Sequence, residues 1–72
     1  MSMDVTASAE AKLLYRIPEA MRLLSMSRSV MYEQIRAKRL RSVRQGRTRL
    51  IPAAAIDDYV SMLEAESGRR AA

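Results

Sequence analysis

Ser25-Met26-Ser27-Arg28-Ser29-Val30-Met31-Tyr32-Glu33-Gln34-Ile35 is the stretch on which the fold turns. Ser27 is a favoured N-cap, because its short hydroxyl side chain can accept from the free N–H groups of a helix start. The residues after it repeat at helical spacing, and a short helical segment ending in Leu23-Leu24 stands just before it. The order is helix, tight turn, second helix. At about 100° per residue, Met31 and Ile35 form the inward edge of the second helix. Ser29, Glu33 and Arg36 cluster on the opposite side, with Arg28 and Tyr32 on one flank and Val30 on the other. Small polar, charged and methyl-bearing side chains on one outward face suit base edges and phosphates, so the second helix reads as a DNA-recognition helix.

The first turn of this helix carries Arg28 and no acid, although the helix dipole favours negative charge there by about 0.3–1 kcal/mol. Either an external phosphate supplies it, held by Arg28, Ser29 and the free amides, or Arg28 is simply solvated. The wider charge distribution favours a polyanion. Of the 72 residues, those from Arg28 to Arg49 include eight bases (Arg28, Arg36, Lys38, Arg39, Arg41, Arg44, Arg47, Arg49) and one acid, Glu33, a local charge of +7. The remainder carries −2, so the net +5 is concentrated on one part of a small domain.

Composition excludes several classes. The chain has neither cysteine nor histidine, which removes disulfides, thiol nucleophiles, imidazole bases and nearly every zinc site. Its length suffices for one marginally stable domain without a deep cleft. Asp57 and Asp58 are adjacent on a helix and diverge by about 100°, so they make no acid–base pair, and no enzyme is expected. The six methionines show no repeated spacing and are assigned to packing rather than to a metal; no cofactor is expected. Three tyrosines, none grouped as a stacking platform, argue against a single-stranded RNA adaptor. No apolar run approaches a signal segment or membrane span, so a cytoplasmic location is expected.

Along the chain, 1–13 reads as a flexible tail, with a short helix around Ala7 to Leu13 as an option. Leu14 to Ile17 is an extended lead-in. Pro18 to Leu24 is the first helix, with Glu19 in its first turn, Ala20, Leu23 and Leu24 inward and Arg22 outward. Met26 plugs the corner. The recognition helix fades near Ala37 to Arg39, and Leu40 returns to the core. Arg41 to Arg44 and Arg47 to Ile51 are β-prone runs around Gln45-Gly46, a hairpin signal, with Val43 and Ile51 facing the core. Arg44, Arg47 and Arg49 then project from a compact loop toward the DNA backbone or a minor groove. Pro52 opens a third helix over Ala53 to Ala65, with Ala55, Ile56, Tyr59, Val60 and Leu63 inward. Its acids, Asp57, Asp58, Glu64 and Glu66, solubilise the outer face or serve a protein partner. Gly68 ends it, leaving 67–72 as a flexible C-terminal tail around a domain of 14–66.

From Leu14 to Leu63 the chain resembles the excisionase-like, MerR-related winged helix-turn-helix family. The resemblance rests on Tyr15-Arg16-Ile17-Pro18-Glu19-Ala20, on Leu23 through Tyr32, on Val43-Arg44-Gln45-Gly46-Arg47, and on Ile51-Pro52 with Tyr59. It implies a mainly α fold with a small β-hairpin wing, and a role at DNA for Ser27, Arg28, Ser29, Tyr32 and the Gly46-Arg47 wing tip. The chain departs from the usual pattern at Arg49, where an aromatic is frequent, at Gln45, commonly apolar, and at Leu50, often basic.

The resemblance also implies an excisionase, or recombination directionality factor, often carried by phages. Such a protein binds attachment-site DNA in adjacent copies, bends it and directs an integrase toward excision. The expected partners are double-stranded DNA, a phage integrase and further copies of the chain. Base reading is assigned to Ser29, Val30, Glu33 and Arg36, and phosphate contact to Arg28, Lys38, Arg39, Arg41, Arg44, Arg47 and Arg49. A small phage or prophage transcriptional regulator on the same scaffold is the alternative.

Overall fold

The computed structural model describes residues 12–71. The elements follow in the order β1 (Leu14–Arg16), α1 (Ile17–Leu24), α2 (Arg28–Arg36), β2 (Val43–Gln45), β3 (Thr48–Pro52) and α3 (Ala53–Ala71). The strands form an antiparallel sheet in the order β1-β3-β2, so the lead-in expected before the first helix becomes a third strand beside the hairpin. This is a winged helix-turn-helix fold. The option of a helix around Ala7 to Leu13 lies outside the described residues except at Lys12 and Leu13, which are not helical.

Both helices of the helix-turn-helix are bounded by local chemistry. At the start of α1, the Glu19 carboxylate accepts from the Arg16 N–H at 3.0 Å and pairs with the Lys12 ammonium. The Lys12 hydrogen bond, and then the Arg16 N–H, hold the Glu19 carboxyl below the usual carboxylate range. Both helices end in a Schellman motif, in which the N–H two residues past the cap reaches back to the third-last carbonyl. Met26 N–H donates to Met21 O at 3.0 Å, and Arg39 N–H to Gln34 O at 3.0 Å. The motif needs one left-handed residue in each case, and the chain supplies Ser25 (φ 55°) and Lys38 (φ 65°) where glycine is usual.

The core comprises Ile17, Ala20, Met31, Leu40, Ile51, Ala55 and Tyr59, with Met31, Leu40 and Ile51 fully enclosed. Met26, Ile35, Leu24 and Tyr15 pack against it. Four inward expectations are corrected. Leu23 is 56% exposed, because the buried stripe of α1 runs Ile17, Ala20, Met21, Leu24, and Leu23 lies more than about 90° around the helix from its centre. Val60 and Leu63 are exposed because α3 turns Ala55, Tyr59 and Met62 inward instead. Val43 is exposed: it is the register partner of Leu50, on the sheet face opposite Ile51, and it lies on the edge strand β2, whereas Leu50 in the central strand is buried. Finally, α3 passes through Gly68 to Ala71, so 67–71 continues the helix and is not a tail. Gly68 does not take a left-handed φ, and the Arg and Ala residues that follow favour helix.

Met31→Ala is expected to destabilise the domain by about 2–5 kcal/mol through the cavity it leaves, whereas Leu23→Ala shifts stability by no more than about 0.5 kcal/mol. Urea unfolding followed by circular dichroism measures both; equal losses would restore Leu23 to the core.

Candidate nucleic-acid interface

The second helix of the pair, α2, is anchored on one side and open on the other. The Ser27 hydroxyl accepts from Val30 N–H at 3.3 Å, as its N-cap position demands, and retains its own hydrogen for donation. Met31 is buried, and Ile35 and Tyr32 are half-buried against the core. Arg28, Ser29, Val30, Glu33 and Arg36 are all exposed. Ser29, Glu33 and Arg36 share the side away from Met31 and Ile35, Val30 lies on its flank, and Arg28 is exposed at the first turn in line with the packed edge. Tyr32 instead belongs partly to the packing.

At its C-terminal end α2 is tied to α3 through one side chain. Gln34 Oε1 accepts from the Tyr59 hydroxyl at 3.1 Å and from Arg39 Nε at 2.9 Å. Arg39 also donates both terminal nitrogens to Glu66, at 3.1 and 3.0 Å, a bidentate fork. The Glu66 hydrogen bonds raise the Arg39 guanidinium pKa above its ordinary value. Arg39, expected at the DNA backbone, is bonded to Glu66 and Gln34 in the DNA-free protein.

The wing places its cations unevenly. Arg44, Gly46 and Arg47 are exposed at the hairpin end. Gly46 has φ +62° and Arg47 does not lie at positive φ, so the turn has its left-handed residue first, where a type II′ hairpin requires glycine. Arg49 is half-buried and donates Nη1 to Ser42 Oγ at 2.7 Å. It pairs across the strands with Arg44, on the same sheet face. Lys38, Arg41 and Arg49, with Ile35, Leu40 and Ser42, line an open cleft of about 370 Å³ between the end of α2 and the wing. Arg41 in turn bonds Asp58 of α3 at 2.6 Å.

Sequence reasoning missed Gln34, Asp58 and Glu66 as partners of this basic run. The ion pairs span 17 and 27 residues, and no local pattern signals them. Among the described residues no group of three or more His, Cys, Asp or Glu is placed to hold a metal ion, and no helix is long and apolar enough to cross a membrane.

Fold and site together define a DNA-binding protein of the winged helix-turn-helix class. Residues 14–62 match the family described as "Helix-turn-helix domain", and the chain belongs to that family. It is also 38% identical over 55 residues to a protein of Saccharopolyspora erythraea named "Probable excisionase". The alignment covers 76% of this chain and 56% of that relative, so the chain spans little more than half its length. No solved structure matches.

Arg39→Ala is expected to lower the melting temperature, since it removes the fork to Glu66 and one of the two donors on Gln34. DNA affinity of the folded protein should change by less than about twofold, against a loss of one phosphate contact's worth for Arg47→Ala. Thermal melts and fluorescence anisotropy on the same samples separate the roles; an Arg39→Ala protein that melts normally but binds weakly would return Arg39 to the interface.

Proposed function

We propose that the chain is a non-enzymatic excisionase: it binds attachment-site DNA in several adjacent copies, bends the duplex, and directs an integrase toward excision. The observation that carries the DNA-binding part is the exposed side of α2, with Ser29, Glu33 and Arg36 together, Val30 on its flank and Arg28 at the helix start, along with the exposed Arg44 and Arg47 of the wing. The similarity to a protein named probable excisionase supports the recombination part.

In this reading α2 enters the major groove. Arg36 suits the two acceptors of guanine, Glu33 accepts from a cytosine amino group, and the Val30 methyls meet a thymine methyl. Ser27 and the free amides at the helix start, with Arg28 and Ser29, take one phosphate. The Gly46-Arg47 tip follows the backbone toward the minor groove, with Arg44 behind it. Lys38, Arg41 and Arg49 add a second basic surface at the cleft. Such a module covers only about 600–1,000 Å² of protein surface, so occupancy at useful concentrations rests on neighbouring copies, with the duplex bent between them.

The test is an electrophoretic and bending titration on duplexes from the DNA beside the nearest integrase gene. Several cooperative shifts with increasing bend are expected, and Arg36→Ala should relax base preference at one position by about 1–3 kcal/mol. A single shift with little bend at a promoter would replace the excisionase by a small transcriptional regulator on the same scaffold.

A further inference from the structure

The cleft between the end of α2 and the wing gathers more positive charge than the fold neutralises within it. Lys38, Arg41 and Arg49 line it together, and Arg44 lies opposite Arg49 in the strand register. Like charges directly across a strand pair are destabilising. Lys38 occupies a left-handed conformation that costs a non-glycine residue about 1–2 kcal/mol, in a place where glycine would end the helix without strain. The Ser42 hydroxyl accepts from Arg49 and keeps its own hydrogen available to an acceptor. Donors converge here, and the described residues bring one carboxylate to them: Asp58, on Arg41.

We infer that this cleft is a seat for one DNA backbone phosphate, and that Asp58 is its internal competitor, holding Arg41 until a phosphate displaces it. The inference rests on the DNA-binding reading and adds to it a residue outside the basic run. Asp58 and Arg41 are both well exposed, with side chains 67% and 57% accessible, so their pairing is weak enough to exchange with a phosphate oxygen. Arg39 contrasts with it. Its bidentate fork to Glu66 and its bond to Gln34 are partly buried, and those partners keep it out of the exchange. The acids of α3 thus do two different jobs: Glu66 fixes an arginine into the fold, and Asp58 lowers the affinity of the domain for DNA in general. Such a competitor weakens phosphate contact irrespective of sequence, and leaves the base-reading face of α2 untouched.

The neighbouring acid provides the control. Asp57 has the same charge and lies next to Asp58, on the rim of a different groove with Tyr15, Leu23, Ala53 and Ile56. Asp57→Asn and Asp58→Asn therefore change net charge equally, and only the second releases Arg41.

The experiment measures binding of the full chain to a labelled random-sequence duplex by anisotropy, across a series of potassium chloride concentrations. Asp58→Asn is expected to tighten binding about fivefold near physiological salt with little change in the slope of log K against log salt, while Arg41→Ala flattens that slope by about 0.9, the signature of one lost phosphate contact. Asp57→Asn should tighten binding by less than about twofold without changing the slope. In an Arg41→Ala background, Asp58→Asn should behave like Asp57→Asn. Equal effects of the two substitutions in the wild-type background, or an Asp58→Asn effect that survives the loss of Arg41, would overturn the inference while leaving DNA binding intact. Failure of the wild-type chain to bind the duplex even at low salt would overturn the DNA-binding reading itself, and the inference with it.

Discussion

Gln34 ties the end of α2 to α3. Its side-chain oxygen takes two donors, from Tyr59 and Arg39, while its backbone oxygen takes the N–H groups of Arg39 and Leu40. One residue thus joins the end of α2 to the middle of α3 and closes the turn that sends Leu40 back into the core. Each such bond contributes only about 0.5–1.5 kcal/mol net, but breaking one leaves a polar group in a poorly hydrated place, which costs more. Among the described residues no buried side-chain nitrogen or oxygen lacks a partner. The burial of Met31 in the seven-residue core cluster seats α2, and the Gln34 link adds a polar tie between its end and α3.

That constraint divides the charge of the molecule. The basic run from Arg28 to Arg49 is not a uniform solvated surface. Arg39 is drawn inward by Gln34 and Glu66, Arg41 is held at the surface by Asp58, and Arg49 leans on Ser42. Arg28 and Arg36 on α2, and Arg44 and Arg47 on the wing, are left open to solvent. The acids of α3 balance one side of the domain, and the other side keeps its field for a polyanion.

Most of this was legible where the signal was local. Ser27 with the residues after it announced a capped helix, Met31 and Ile35 marked its inner edge, and Gly46 marked the wing turn; the structure has all three. Helix rotation was harder. Leu23, Val60 and Leu63 are apolar and at helical spacing, yet they are exposed, because Met21 and Met62 fill the inward positions beside them. Single-helix periodicity does not choose between overlapping apolar stripes when the partner surface is unknown. Strand facing failed at Val43 for a related reason, since register with Leu50 settles it and only the fold supplies that register. The long-range ion pairs were invisible to sequence. A charge run tells how many cations are present, and the folded partner decides which of them are free.

In the proposed complex the outward face of α2 and the wing tip meet DNA while α3 stays on the far side, tied to α2 through Gln34. Amide chemical-shift mapping during titration with a duplex tests this arrangement most directly. The largest shifts are expected at residues 28–30, 33 and 36 and at the 44–47 turn, with residues 60–66 of α3 little changed. Large shifts centred on α3, with α2 unaffected, would contradict it.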